Sequence, residues 1–163
     1  MKETSRIKSL LLKLVDEGFE HRAWHGPNLR GSLRGISAEE AAWRPGARRH
    51  NIWEIAVHTA YWKYAVRRRL TGEKRGSFAL KGSNWFKRPE AITEAAWKHD
   101  LDLLADEHRL MRETIEELPA AKLSTPTPSG KYNYETLVYG IANHDVYHAG
   151  QIQLLKRLYA LRK

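Results

Sequence analysis

Cysteine is absent from the 163 residues of this sequence. The chain can therefore form no disulfide bond and offers no thiolate ligand to a metal. Any thiol chemistry would require a thiol supplied from outside the protein. The absence also agrees with a reducing compartment, and we expect the protein to be cytoplasmic.

Long apolar runs are also absent. The run Leu10–Leu12 is followed at once by Lys13, so it is too short for the apolar region of a secretory signal. No stretch approaches the ~20 apolar residues of a membrane-spanning helix, and we expect no membrane partner. The pattern contains no internal repeat, low-complexity tract or convincing strand. We expect one domain over residues 1–163, because this length suffices to bury a core.

Acidic residues are outnumbered by basic ones. There are 28 Lys and Arg against 19 Asp and Glu, which gives a formal net charge of +9 and a pI near 9.9. A cationic surface attracts phosphate whatever the sequence, so nucleic-acid binding is one interpretation. No nucleic-acid-binding motif accompanies the charge. We favour a solvated basic face that suits an anionic substrate, and we do not expect a nucleic-acid partner.

Apolar residues recur at helical spacing through most of the chain and predict four long helices. The predicted spans are about residues 3–24, 51–72, 93–118 and 134–162. Asn51 and Thr93 are placed to cap the second and third helices, and Ser37 a short helical turn. The irregular segment 73–91 separates the second helix from the third, and we expect Trp85 in it to dock on the helices.

Two histidines interrupt the apolar seam of the fourth helix. The seam reads Leu137, Ile141, His144, His148, Gln151, Leu155 and Leu158. A buried polar group without a partner costs ~1–3 kcal/mol, so polar residues in a core stripe need an explanation. His144 and His148 lie one turn apart on the same face, and one cation could satisfy both imidazoles. The alternative is two core histidines, each with its own hydrogen-bond partner.

A third histidine, His58, occupies the seam of the second helix. If that seam faces the fourth helix, the three imidazoles converge. Neutral nitrogen ligands suit zinc, nickel, iron or copper and suit magnesium or calcium poorly. Three protein ligands leave one position open, which is typical of catalytic zinc sites. We expect a divalent transition metal, zinc or nickel first, with iron and copper as alternatives.

Two polar residues beside the histidines are candidate catalytic residues. Glu54 lies one turn before His58 and could accept a hydrogen bond from a ligand imidazole or act as a base on a bound water. The alternative, which we favour, is a capping box with Asn51. Gln151 lies one turn beyond His148 and could orient a substrate or bond to the second helix.

Other residues near the seams have a structural alternative. Trp62, Tyr61 and Tyr147 could line a pocket, although core packing is the default for aromatic residues at helical spacing. His25 is a further pocket candidate, and His108, on the third seam, is expected to be a packed histidine.

Three more residues of the fourth helix have predicted roles. Asp145 should point away from the ligand face, since adjacent helical residues diverge by about 100°, and we assign it a supporting or packing role. Gly140 and Gly150 are each less favourable than Ala by ~1 kcal/mol inside a helix. We interpret both as allowing close helix approach or access to the metal.

The chain resembles the DinB/YfiT-like superfamily of metalloenzymes. The resemblance rests on segments 51–62 and 144–152, with further likeness at 23–27 and 42–45. It implies a four-helix bundle with a long crossover between helices 2 and 3. It also implies a divalent metal held by three histidines, which correspond to His58, His144 and His148.

Family members of known activity are described as thiol-dependent. They include transferases that join a low-molecular-weight thiol to an electrophile and an isomerase that uses such a thiol. A metal can keep a bound thiol deprotonated at neutral pH. The resemblance thus implies a small-molecule substrate, with a low-molecular-weight thiol as the candidate.

Three functions stay open at this point. The first is a metalloenzyme, either a thiol-dependent S-transferase or a metal-dependent hydrolase. The second is a non-catalytic metal or ligand binder. The third is a basic nucleic-acid-binding bundle with a structural metal. We also expect a homodimer, because bundles of this kind often pair through an exposed apolar face.

Overall fold

The computed structural model describes residues 2–162, and all its named elements are helices. Its helices are α1 (Lys2–Phe19), α2 (Leu29–Leu33), α3 (Ala38–Ala42), α4 (Ile52–Thr71), α5 (Glu94–Glu117) and α6 (Tyr134–Ala160), with a 3-10 turn at Ala120–Lys122. No strand occurs in the described residues, so the predicted all-α class is confirmed. The four long helices are α1, α4, α5 and α6.

The relative direction of α4 and α5 determines the topology. Near the start of both helices Trp53 packs on Trp97, with ring centroids 5.0 Å apart. Further along both, Arg67 lies 3.7 Å from Glu107. The two helices are therefore parallel, and the chain must return along the whole length of α4, roughly 30 Å, before α5 can begin. This return is the expected crossover, and we call residues 73–93 the crossover segment.

The core has two parts along the bundle. One surrounds Trp53 and Trp97 and includes Phe86 of the crossover segment, so this segment is packed as predicted. The other surrounds Val15 of α1, Met111 and Val138, where α1 packs on α6. Helix α4 packs against both α5 and α6. None of the described helices is long and apolar enough to cross a membrane.

The predicted N-caps are present. The Asn51 side-chain oxygen accepts from the backbone N–H of Glu54 at 2.7 Å. Thr93 and Ser37 accept in the same way from the third residue after them, at 3.2 Å each. The residue that caps the C-terminus of α4 is Gly72, whose φ of 82° is left-handed. This conformation favours glycine and satisfies the last turn of the helix.

The first long helix is shorter than predicted. It ends at Phe19 rather than near Trp24, which is fully exposed. The three residues after Phe19 are all polar or charged, so no apolar side chain continues the buried face. The Asn28 amide donates to the His21 carbonyl at 2.8 Å and holds the chain in a turn there.

Close helix approach occurs at a glycine other than the two expected. A Cβ at Gly18 would lie 2.9 Å from the backbone oxygen of Ala142, so α1 and α6 meet there without room for a side chain. A Cβ at Gly140 or Gly150 would meet nothing within 4 Å. The expectation of close approach at these two positions is therefore wrong, because both face open space.

The two kinds of glycine should respond oppositely to alanine. Gly150→Ala should raise the free energy of unfolding by about 0.5–1 kcal/mol, because alanine loses less backbone entropy in a helix. Gly18→Ala should lower the melting temperature, because its methyl group would press on a backbone oxygen. Calorimetry of both variants tests this, and stabilisation by Gly18→Ala would contradict the close contact.

Candidate metal centre

Three imidazoles meet between α4 and α6. The Nε2 atom of His144 lies 3.2 Å from Nε2 of His58 and 3.2 Å from Nε2 of His148. Their ligand atoms all lie within 4.8 Å of one another. His58 and His148 are buried, and His144 is partly exposed. The structure thus brings together the three side chains selected from the sequence.

Hydrogen bonds at the outer nitrogens set the protonation of two rings. Nδ1 of His58 lies 2.8 Å from the carbonyl oxygen of Asn84, which can only accept, so this Nδ1 carries the proton. Nδ1 of His148 lies 2.7 Å from the Gln151 side-chain oxygen and carries its proton for the same reason. In both rings Nε2 is left with a lone pair directed at the shared centre. Fixing the tautomer through the outer nitrogen is what metal-ligating histidines do.

Burial keeps the three rings neutral. Desolvation, with smaller contributions from neighbouring positive charges, lowers the pKa of His58 to about 4 and the pKa of His144 to about 3. Desolvation also lowers the pKa of His148. Neutral imidazole is the form that binds a metal ion, so these ligands require no deprotonation near pH 7.

The crossover segment holds the outer side of His58. Trp85 stacks on the His58 ring at 3.8 Å, and its other face stacks on His50 at 3.6 Å. Asn84 has a left-handed φ of 65°, and its side-chain oxygen accepts from Nε1 of Trp62 at 2.9 Å. Asparagine tolerates this backbone region better than most residues. Asn84 and Trp85 thus position a ring that lies on another element.

Comparison with known proteins agrees with this architecture. Residues 22–152 match the family model of the DinB superfamily. The chain belongs to the DinB superfamily. A conserved protein from Enterococcus faecalis, known from a crystal structure, has a similar fold at 16% identity, with a TM-score of 0.60 over 99% of this chain and 97% of that one. No curated protein matches the chain.

Within this DinB-superfamily site, Glu54 has a different role from those foreseen. Its carboxylate is paired with the Arg44 guanidinium at 2.5 and 2.9 Å and with Nδ1 of His50 at 2.8 Å, while the Arg88 N–H lies 3.4 Å away. No bond to the backbone of Asn51 closes a capping box in the described residues. Burial alone would raise the pKa of Glu54, but the bonds from Arg44 and His50 outweigh it and lower the pKa. Glu54 thus holds His50, which stacks on Trp85, and does not contact the three imidazoles.

Gln151 supports a ligand candidate rather than the second helix. Its oxygen accepts from His148, and its Nε2 donates to the Tyr147 hydroxyl at 3.0 Å. Tyr147 lies beside His148, with ring centroids 5.0 Å apart, but is largely exposed. Trp62 lies 6.3 Å from the His58 ring and 6.1 Å from the His144 ring, so it flanks the group as a pocket residue would.

Two of the pocket candidates lie elsewhere. Tyr61 packs against Phe78 and Phe86 of the crossover segment, because its position on α4 faces that segment rather than α6. His25 sits in an exposed turn after α1, with no contact to the three histidines among the described residues. His108 is packed as predicted, stacked on Phe19 with ring centroids 3.7 Å apart.

A buried ion pair also joins α6 to α4. Asp145 points away from the metal face, as predicted, and pairs with Lys63, which is 0% exposed. Burial lowers the pKa of the Lys63 ammonium and raises that of the Asp145 carboxyl, while each partner's charge opposes the change. Sequence reasoning missed Lys63, because a lysine close to three arginines reads as surface. The one signal was Asp145, a carboxylate with a predicted supporting or packing role, but nothing in the sequence indicates which residue pairs with it.

Removing one partner of this pair should destabilise the fold more than replacing both partners with apolar residues. Lys63→Met should lower the free energy of unfolding by about 3–5 kcal/mol, because it leaves a buried carboxylate unpaired. The double variant Lys63→Met/Asp145→Leu should be less destabilised than the single one. Urea denaturation measures both. The exposed pair of Lys98 and Asp102 is the control, and Lys98→Met should change stability little. A double variant that is destabilised as much as Lys63→Met, or more, would contradict the coupling.

Proposed function

We propose that the protein binds one divalent transition-metal ion through Nε2 of His58, His144 and His148 and uses it in an enzymatic reaction. The observation that carries this proposal is the pair of fixed tautomers. With Nδ1 occupied in His58 and His148, two lone pairs face His144 at 3.2 Å spacing. One proton on His144 could satisfy only one of them, whereas a cation could satisfy all three rings.

The donor set favours zinc or nickel, with iron and copper as the other ions that neutral imidazoles suit. No carboxylate joins the group in the described residues, since Glu54 is bound to Arg44 and Asp145 to Lys63. The ligands therefore leave the charge of the ion uncompensated. When bound, such an ion would keep an open position and lower the pKa of a water or thiol held there.

We propose thiol-dependent S-transfer as the reaction, ahead of metal-dependent hydrolysis. The support is that no free carboxylate lies against the imidazoles to act on a water, because Glu54 is already occupied by Arg44 and His50. A thiol ionises more readily than water and needs less help from a base. Trp62 and Trp85 flank the group and would limit access of bulk water to it. The thiol must come from the substrate, because the chain has no cysteine.

A purely structural metal is supported less well. Structural zinc sites are closed by four protein ligands, and three candidates converge here among the described residues. A homodimer and a cytoplasmic location stay predictions.

Metal content tests the proposal directly. Protein prepared without chelator should carry about one zinc or nickel ion per chain, because three neutral imidazoles form one site. His58→Ala should lose the metal while keeping its helical circular dichroism. His25→Ala is the matched control, since this histidine is exposed and away from the group. Elemental analysis makes the measurement, and equal metal content in both variants would end the proposal.

The support from Asn84 provides a second test. Asn84→Val should weaken zinc binding by about 10–100-fold, because a β-branched residue resists the left-handed φ and would displace the carbonyl that orients His58. Asn84→Gly should bind zinc nearly as tightly as the unchanged protein, since glycine keeps that backbone conformation. Competition with a coloured chelator gives both affinities. If the valine variant is also unaffected, the carbonyl does not position the ligand.

A further inference from the structure

A groove leads away from the three-histidine group along α4 and α6. Its first part is a cavity of 280 Å³ that begins at His144 and is walled mainly by apolar side chains, among them Val66 and Ile141. A second cavity of 670 Å³ shares Trp62, Arg69, Tyr132 and Leu137 with the first. The two cavities therefore form one continuous surface, which we call the groove.

The far end of the groove is strongly basic. Arg68, Arg75 and Lys131 line it, and Arg69 lies where it joins the apolar part, against a single carboxylate, Glu73. Glu73 is already paired with Arg67 at 3.1 Å. Within residues 2–162 no carboxylate lies within 4.0 Å of the four basic side chains of the groove. Surface cations usually have acidic neighbours to neutralise them, so this concentration of unmatched charge calls for an anionic partner.

The spacing of the two ends is fixed by helix geometry. Trp62, Val66 and Arg69 occupy successive turns of α4, and seven residues of helix span roughly 10 Å. The Arg69 guanidinium lies 5.4 Å from the centre of the Trp62 ring, at the junction of the two cavities. Gly140 lies on the lining of the first cavity, where a Cβ would meet nothing within 4 Å, so a larger side chain there would enter the open space.

We propose that the groove binds an elongated small molecule with an apolar segment beside His144 and a carboxylate or phosphate at the basic end. This inference rests on the proposed function, because it names the substrate class of the same site. The apolar part fits the walls of the narrow cavity, and the anionic group fits the guanidinium and ammonium groups of the wider one. A molecule bound in this way would present its apolar end to the imidazoles.

The test compares two probes that differ in one group, 4-phenylbutyrate and its neutral amide. The full chain is first treated with a chelator, so that the carboxylate cannot bind a metal. Ligand-observed NMR titration should give a dissociation constant about tenfold lower for the carboxylate than for the amide. Raising the salt concentration should reduce this preference, because the basic side chains are exposed to solvent.

Variants locate the effect. Arg75→Gln/Lys131→Gln should reduce the preference, because only Arg68 and Arg69 remain at the basic end. Arg6→Gln/Arg22→Gln removes the same charge from exposed positions outside the groove and should leave the preference unchanged. Gly140→Phe should weaken both probes by filling the apolar part, while keeping the basic end intact. Circular dichroism verifies that each variant is folded.

Several results would overturn the inference. Equal affinity for the two probes would do so. An equal loss of carboxylate preference in the two double variants would also do so, because the preference would then reflect only the net charge of the protein. Short single-stranded DNA that binds the basic end and is not displaced by 4-phenylbutyrate would make the groove a nucleic-acid surface instead. Zinc content, measured on each preparation before the chelator treatment, separates this proposal from the metal proposal. Zinc retained without anion preference removes the groove alone, and anion preference in a protein that never retains zinc removes the metal alone.

Discussion

Two helices that follow each other in the chain, α4 and α5, pack side by side in the same direction, so the intervening chain must travel back along α4. This return path passes over His58. It delivers the carbonyl of Asn84 to the outer nitrogen of that ring and the indole of Trp85 to its face. A hairpin between antiparallel helices would be shorter and would leave the outer side of His58 without these partners. The orientation of His58 therefore depends on the parallel packing of α4 and α5, which brings the crossover segment over this ring.

Two buried polar groups of different electrostatic character lie between α4 and α6. In the first, His144 and His148 are neutral and meet His58. In the second, Asp145 is buried against Lys63. Both groups connect α6 to α4. Each helix therefore has two buried contacts, about one turn apart, that fix its rotation about its own axis. The pKa of His144 is lowered mainly by burial, and the positive charge of Lys63 adds a smaller contribution in the same direction.

Much of this arrangement could be predicted from the sequence, because it depends on local patterns. Helical periodicity identified α4, α5 and α6, cap residues such as Asn51 identified helix starts, and polar residues in an apolar seam identified the three histidines. The rest depends on groups that no residue type reveals. The acceptor for His58 is a backbone carbonyl, which every residue has. Lys63 could not be found by pattern, because burying a lysine is normally costly and its partner lies 82 positions away.

The helices and the crossover segment contribute different parts of the candidate site, which has an evolutionary consequence. The helices supply the three candidate metal ligands and most of the core. Residues 73–93 add Phe86 to the core and one wall beside the ligands, and most of their side chains are exposed. Changes at exposed positions of such a connection are tolerated far more easily than changes in a core. Related proteins could diverge in what they accept by changing these exposed positions, as long as the carbonyl of residue 84 and the indole of Trp85 continue to orient His58.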